Sequence, residues 1–247
     1  MSSEGVIESM SSNDSVMVAD LEIMANANNY RNWMYSRIEP YVGQRILEVG
    51  AGIGNFTELL LDRELVVPTD IYPLCVNYLQ NRLGNSLKAA PQLLDLAHPS
   101  DHAWGDYRFD TIICMNVLEH VEDDRAALRF MHETLVAGGR TVILVPAFQF
   151  LYGTIDHAIA HYRRYTRKDL LPRMRESGFV IEKAFYMNVI GMAGWFWNNR
   201  LRKIKEEDAS QIAVFDRYIA PWAERIERAI PPPFGLSLIA VGRKEQG

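Results

Sequence analysis

Arg45-Ile-Leu-Glu-Val-Gly-Ala-Gly-Ile-Gly-Asn-Phe-Thr-Glu-Leu-Leu60 is the stretch that decides the fold of this chain. Ile46, Leu47 and Val49 form a short apolar run, which predicts a buried parallel strand. Glycines follow at every second position from Gly50 to Gly54, and the amphipathic run over 56–61 predicts a helix after them. Glycine lets a backbone turn sharply and lets a ligand approach it closely. The stretch therefore predicts a strand, a ligand-binding turn and a helix.

The spacing of the glycines indicates which ligand the turn binds. A dinucleotide loop has the pattern G-x-G-x-x-G, whereas this chain has G-x-G-x-G with Glu48 two residues before it. A carboxylate at that place would repel a pyrophosphate and suits a cationic ligand. Glu48 to Gly54 resembles motif I of the class I S-adenosylmethionine (SAM) methyltransferases, although a glycine turn of another Rossmann-like protein is the alternative. The resemblance implies SAM as cofactor, S-adenosylhomocysteine as product, and binding by Glu48, Gly50, Ala51, Gly52 and Asn55.

Other strand ends supply further candidate cofactor ligands. Asp70 ends a predicted strand about 20 residues after Gly50, where nucleotide-binding folds place the acid that accepts from ribose hydroxyls. Ile71 is expected beside the adenine. The resemblance further implies that Asp95 and Leu96 face the adenine and that Asn116 and Val117 lie beside the methionine part of SAM. It also implies an N-terminal helix across the cofactor mouth, with Tyr30 as a contact or simply as a packing residue.

The order of the elements predicts one α/β domain. Apolar runs predict seven strands, near residues 46–49, 65–70, 92–96, 109–115, 141–145, 179–186 and 236–241. Residues 1–15 are predicted to be a disordered tail and residues 16–247 a single domain. As the resemblance implies, the fold is a Rossmann-like SAM-methyltransferase sheet that is mostly parallel, with the last strand antiparallel.

Composition limits the possible partners and the compartment. The net charge of −5 argues against a general nucleic-acid binder, and no apolar run is long enough to cross a membrane. Cys75 and Cys114 both lie in apolar contexts, which is typical of a reducing compartment. We therefore expect a cytoplasmic protein with a small-molecule acceptor, as a monomer or a homodimer. Contact with a membrane would be peripheral.

Residues 146–165 form the first of two insertions that could determine the substrate. The segment follows the fifth strand and is expected to overhang the methyl group. Its histidines, His157 and His161, have a spacing that could bind zinc on a helix, but no third ligand is evident, so no metal is predicted. Arginines here could hold an anionic substrate group, or the polar residues could form a structural network. The candidate substrate residues of this segment are Tyr152, Asp156, Arg163, Arg164 and Tyr165.

Residues 187–234 form the second insertion, which is too long to lack secondary structure. We expect a helical lid whose apolar run over 190–197, including Trp195, covers the acceptor. Arg200, Arg202, Lys203 and Lys205 follow that run. An interfacial helix on an anionic bilayer and a dimer contact are the alternatives.

These features together predict methyl transfer from SAM to a small or medium-sized acceptor. An oxygen of a natural product or sugar-like molecule is the favoured nucleophile. A hydroxyl requires a base, and histidine suits neutral pH, so His161, then His157 and His120, are the candidates. The alternatives are N- or C-methylation, a lipid-linked acceptor at a membrane surface, and a non-catalytic SAM-binding partner protein. A protein or RNA methyltransferase is disfavoured because the predicted lid is apolar.

Overall fold

A seven-stranded sheet forms the centre of the protein. The computed structural model describes residues 21, 25–99, 104–197 and 209–246. The predicted tail, the first residues of the predicted N-terminal helix, and the basic residues Arg200 to Lys205 lie outside these ranges. The strands are β1 (Arg45–Val49), β2 (Leu65–Asp70), β3 (Gln92–Leu93), β4 (Thr111–Met115), β5 (Arg140–Pro146), β6 (Phe179–Met187) and β7 (Ser237–Lys244).

The strand order is β3-β2-β1-β4-β5-β7-β6. The pairs among β1 to β5 are parallel, and β7 runs antiparallel to both of its neighbours. This confirms the predicted fold class. Pro68 lies inside β2, and it is tolerated because it has a partner in β1 at Glu48 but none in the two-residue β3. The order reverses between β1 and β4, so their carboxyl ends form the ligand-binding edge of the sheet.

Helices cover both faces of the sheet. Successive strand residues point to opposite faces, so Leu47 packs with Leu128 and Leu170, whereas Ile46 packs with Trp33 and Ala223. The α-helices in the described residues are α1 (Asn28–Ile38), α2 (Pro73–Leu83), α3 (Asp124–Thr134), α4 (Thr154–Ala158), α5 (Arg167–Glu176), α6 (Val189–Trp195), α7 (Ala209–Val214) and α8 (Ala220–Ala229). Helices α3 and α5 therefore lie on one face, and α1 and α8 on the other.

Two predicted elements are shorter in the structure. The run over 56–61 forms only a short 3-10 helix, Thr57–Leu60, rather than an α-helix. Ten residues separate Gly54 from β2, which is too few for a multi-turn helix and a connection. The third strand was predicted over 92–96, but it is confined to Gln92–Leu93 at the edge of the sheet. Its remaining residues turn away, where the Asp95 carboxylate accepts from the Ala97 amide at 2.8 Å.

Most of the described part of the second insertion is helical. Helix α6 follows β6, and helices α7 and α8 are joined by a π-helical segment, Phe215–Ile219. Glu227 of α8 accepts from the backbone amides of Asn188 and Val189, both at 2.9 Å, and so ties the end of the insertion to its beginning. Among the described residues, no helix is both long and apolar enough to span a membrane.

An apolar stripe runs along the outer side of these helices. Its members recur at every fourth residue and are between 55% and 72% exposed. We call them the outer stripe: Val214, Tyr218, Trp222, Ile226 and Ile230. The opposite side of α8 is buried through Ala220 and Ala223. Helix α8 therefore presents apolar side chains both to the core and to solvent.

Candidate active site

The glycine turn at the end of β1 is held in a conformation that glycine favours. Gly50, Gly52 and Gly54 all have positive φ angles, of 71°, 57° and 88°. A Cβ on Gly50 would lie 2.2 Å from Cγ2 of Val117, so the turn packs directly on the loop after β4. The Ala51 amide donates to the carbonyl oxygen of Thr69 at 2.8 Å, which fixes the turn against β2. The two loops predicted to contact SAM are thus in contact with each other.

Two acids flank the turn. Burial raises the pKa of Glu48 to about 7, with a smaller raising effect from the charge of Asp70 and an opposing effect from Thr57. The Oε2 atom of Glu48 is buried and has no hydrogen-bond partner among the described residues. Asp70 accepts from the Gly52 amide at 2.8 Å and from the Tyr72 amide at 3.0 Å. Burial raises the pKa of Asp70, although these backbone donors oppose the shift.

The other predicted cofactor residues lie along the same edge. Leu96 is buried, whereas Ile71 and Asn116 are exposed. Asn116 has a positive φ of 54°, which turns the chain sharply after β4. Asn55 donates from its amide to the carbonyl oxygen of Leu21 at 2.8 Å. The Tyr30 ring packs edge-on against Trp33 and Phe215, which joins α1 to the π-helical segment of the second insertion.

A polar cluster lies in the segments that follow β4 and β5, which are separated from β2 and β3 by β1. Its centre is Asp156, whose Oδ1 lies 2.9 Å from Nδ1 of His161 and 2.7 Å from Nε of Arg164. The Gly153 amide donates to the other oxygen at 3.0 Å. Burial alone would raise the pKa of Asp156, but His161, Arg164 and the Gly153 amide lower it to about 2. The ionised carboxylate must accept from Nδ1, so Nε2 carries the lone pair when the His161 ring is neutral.

Glu119 and His120 complete this cluster from the loop after β4. Oε1 of Glu119 lies 3.8 Å from Nε2 of His161, and the rings of His120 and His161 meet edge-on with centroids 4.6 Å apart. Burial raises the pKa of Glu119 to about 8, although Arg164 lowers it. Partial desolvation of the ring, followed by the nearby charge of His161, lowers the pKa of His120. The residue as a whole remains exposed. Glu119 was not predicted as a site residue. The one signal in the sequence was an acid within the apolar run from Val117 to Val121.

The two arginines of the first insertion have separate partners. Arg164 is buried, donates to Asp156 and packs on the Trp195 ring at 4.6 Å. Arg163 lies 2.9 Å from Oδ2 of Asp124, which also accepts from the Tyr165 hydroxyl at 2.9 Å. Both are therefore engaged in a network that fixes the loop, one of the two predicted alternatives. Asp124 is a network member that sequence analysis missed.

His157 and Tyr152 lie at the outer side of the insertion. The rings of Tyr152 and His157 meet edge-on, and the Tyr152 hydroxyl donates to the carbonyl oxygen of His161 at 2.6 Å. Helix α4 ends at Ala158, so His157 and His161 do not share a helix. The two histidines therefore do not form the helical pair that their spacing allowed, because Ala160 turns the chain with a φ of 57° before His161.

The fold and the site define a Rossmann-like α/β enzyme with an acid-flanked glycine turn. The family model described as "Methyltransferase domain" matches residues 24–184. The chain belongs to this family, and it is a class I SAM-dependent methyltransferase.

Three similar proteins illustrate the relationship. A ubiquinone biosynthesis O-methyltransferase of Xanthomonas axonopodis pv. citri is 24% identical over 214 residues, covering 73% of this chain and 79% of that protein. A highly reducing polyketide synthase of Strobilurus tenacellus is 32% identical over 108 residues, 40% of this chain but only 4% of the synthase. The N-methyltransferase NodS of Bradyrhizobium japonicum WM9, solved with S-adenosylhomocysteine, shares the fold with a TM-score of 0.53 and 15% identity, over 88% of this chain and 86% of that one.

The residues present fit SAM as the cofactor. The left-handed glycines leave the backbone of the turn open to a ligand, and the unpartnered Oε2 of Glu48 is a buried acceptor beside it. An ammonium group would give this oxygen the charged partner that it lacks. Asp70 keeps further lone pairs for hydroxyl donors, since each oxygen of a carboxylate accepts more than one bond.

Proposed function

We propose that this methyltransferase acts on an oxygen of a small or medium-sized acceptor, such as a natural product or sugar-like molecule. The observation that carries the proposal is the Asp156–His161 pair, which lies beside Glu119 and His120 of the loop after β4. A carboxylate that fixes the tautomer of a histidine is the arrangement expected for a residue that serves a hydroxyl nucleophile. The name of the Xanthomonas relative supports O-methylation.

The chain's own residues position the reactants. When bound, SAM supplies a methyl group on a sulfonium that a nucleophile can displace in line. Glu48 and Asp70 are proposed to hold the ammonium and the ribose, and Asn116 and Val117 to flank the methionine part. Most of the acceleration would come from holding the acceptor oxygen close and aligned.

We propose that His161 serves this oxygen, either by taking its proton or by positioning it. Asp156 keeps Nδ1 protonated, so Nε2 is the atom available to the acceptor. The buried Arg164 and the Gly153 amide hold Asp156 in place, so the ring cannot rotate freely. The His120 ring packs edge-on against the His161 ring. His120 is exposed, so it connects the cluster to solvent.

Turnover of His161→Ala tests this proposal. A positioned base is typically worth about 10²–10⁴ in rate, so the turnover number should fall by that factor while the SAM dissociation constant stays the same. His157→Ala is the matched control, since His157 lies outside the cluster and should retain turnover. Near wild-type turnover of His161→Ala with hydroxyl acceptors would contradict the role of His161. Transfer only to nitrogen or carbon acceptors would contradict O-methylation.

The outer stripe favours a second candidate function, methylation of a lipid-linked acceptor at a bilayer surface. Stripe residues alternate with exposed arginines, and Arg217 and Arg225 pack over the rings of Tyr218 and Trp222. The acids of the same helices, Asp216, Glu224 and Glu227, instead point inward to hydrogen-bond partners. An apolar stripe with a basic rim, on a chain of net charge −5, complements an anionic membrane.

Vesicle sedimentation tests whether the outer stripe binds a membrane or another subunit. Wild-type protein should bind phosphatidylglycerol vesicles more strongly than phosphatidylcholine vesicles, and Trp222→Glu should abolish the binding. Val180→Glu, at an exposed apolar position of β6, is the matched control. A dimer that Trp222→Glu dissociates, without vesicle binding by the wild type, would assign the outer stripe to subunit contact and overturn the membrane candidate.

A further inference from the structure

Three potential metal ligands converge at the acceptor side of the site. Glu119, His120 and His161 each offer one ligand atom, and these three atoms all lie within 4.8 Å of one another. Oε1 of Glu119 is 3.8 Å from Nε2 of His161. Ligand atoms that share one tetrahedral ion at about 2.0–2.1 Å lie about 3.4 Å apart, so side-chain rotations that bring the three atoms closer by up to about 1.4 Å would let them share an ion.

The carboxylate of Glu119 lacks a partner. The residue is fully buried, and neither Oε1 nor Oε2 has a hydrogen-bond partner among the described residues. Burial of an unpartnered carboxylate is unfavourable. The nearby guanidinium of Arg164 donates its Nε hydrogen bond to Asp156 instead. A cation between Glu119 and the two histidines would supply the missing partner.

The residues behind His161 match the surroundings of a metal-bound histidine. Ligating histidines usually donate their other ring N–H to a carboxylate or a carbonyl, which fixes the ring and raises its basicity. His161 makes this bond to Asp156 through Nδ1 at 2.9 Å and so directs Nε2 toward Glu119. Asp156 is itself held by Arg164 and by the Gly153 amide. The hydrogen bonds that usually orient a metal-binding histidine are therefore already formed around His161.

We propose that Glu119, His120 and His161 bind a divalent transition-metal ion, of which Zn²⁺ suits the ligand set best. Two imidazole nitrogens and one carboxylate oxygen are the ligands of several catalytic zinc sites, which keep a further position open. His120 is exposed, so an ion held by these three residues would be accessible from solvent. The two histidines come from the loop after β4 and from the first insertion, 41 residues apart.

An ion at this site would change how His161 serves the acceptor, a consequence that rests on the proposed function. A hydroxyl bound at the open position would lose its proton to water more readily, because a metal ion lowers the pKa of a bound hydroxyl. The oxygen would then form its bond to the methyl carbon as the carbon–sulfur bond breaks. Nε2 would be a metal ligand and not the direct proton acceptor.

Calorimetric titration of chelator-treated, dialysed protein with Zn²⁺ tests the site. We expect one ion per chain, and a loss of affinity of about 10- to 100-fold or more in Glu119→Gln, which keeps the shape of the side chain. Asp156→Asn should weaken binding about 10- to 100-fold, as other substitutions behind metal-bound histidines do. Glu122→Gln and His157→Ala are the matched controls, because both residues are exposed neighbours outside the cluster. Circular dichroism verifies that each variant is folded.

Different results would overturn the metal site and its role in turnover. Equal Zn²⁺ affinity in wild type and Glu119→Gln, or equal weakening by His157→Ala, overturns the metal site. The titration requires no acceptor, so it decides the site even if no acceptor is methylated and the proposed function fails. If the site binds Zn²⁺ but metal-free protein transfers methyl groups at the full rate, the role of the ion in turnover is overturned and direct action by His161 is supported.

Discussion

At the scale of single residues, the contact between Gly50 and Val117 joins the two loops of the cofactor edge. Gly50→Ala would place a Cβ 2.2 Å from Val117 Cγ2 at a φ of 71°. We expect a loss of about 1–3 kcal/mol of stability, together with weaker SAM binding, because a positive φ is strained for alanine. Thermal melts and calorimetry measure both effects.

Two further variants separate the clash from the backbone strain. Gly105→Ala is the control, since Gly105 has no heavy atom within 4 Å of a new Cβ and should tolerate it. Adding Val117→Ala to Gly50→Ala removes the contacting methyl and should restore part of the stability. No recovery in the double variant would show that the contact is not the cause.

We expect the affinity for SAM to depend on pH through the protonation of Glu48. Its pKa is raised to about 7 by burial, so the carboxyl group is protonated in the free protein at lower pH. A cationic ligand favours the ionised form, so binding must release this proton. Affinity should therefore fall as pH falls below about 7, by at most roughly tenfold per pH unit, and level off above it.

Calorimetry between about pH 5.5 and 7 measures this slope, in a range where the ligand's amino group stays protonated. Glu48→Gln should bind SAM more weakly and with a flat profile. The exposed Glu64→Gln should behave as the wild type does. An equal slope in Glu48→Gln would assign the proton to another group.

At the scale of elements, α6 covers the first insertion through Trp195. The indole packs on Arg164 at 4.6 Å and its N–H donates to the carbonyl oxygen of Leu151 at 3.4 Å. Trp195→Ala should raise the KM for the acceptor while the SAM dissociation constant stays unchanged, because Trp195 contacts Arg164 of the cluster that we propose serves the acceptor. Trp197→Ala, at the exposed end of the same segment, is the control. An unchanged KM would show that α6 does not cover the acceptor.

The strands other than β3 were predictable because each carries a local apolar run, and β2 begins and ends at the predicted residues. The 3-10 helix Thr57–Leu60 was not predictable from the local sequence. Its type depends on the short connection between Gly54 and β2, which leaves no room for a longer α-helix. The polar cluster around Asp156 was predicted only in part. His120 and His161 were candidates, but their pairing with Glu119 arises from tertiary contacts across about 40 residues, which no spacing rule encodes.

At the scale of the whole molecule, the sheet is unequally supported. β1, β4, β5 and β7 are paired along most of their length with a neighbour on each side, whereas β3 pairs through two residues only. Hydrogen exchange followed by mass spectrometry should therefore find the slowest amides in β1, β4, β5 and β7 and faster exchange in β3. Equally slow exchange in β3 and β4 would contradict this order of local stability.

The first insertion leaves the sheet and returns to it at one place. The Tyr165 amide donates to the carbonyl oxygen of Pro146, and the Phe148 amide to that of Tyr165, both at 2.9 Å. Since the two ends of the segment are fastened to each other, the residues between them can change without altering the path of β5. Acceptor preference could therefore diverge by exchange of the residues between these ends, and grafting residues 149–163 from a related enzyme with Asp156 and His161 retained is a practical route to redesign.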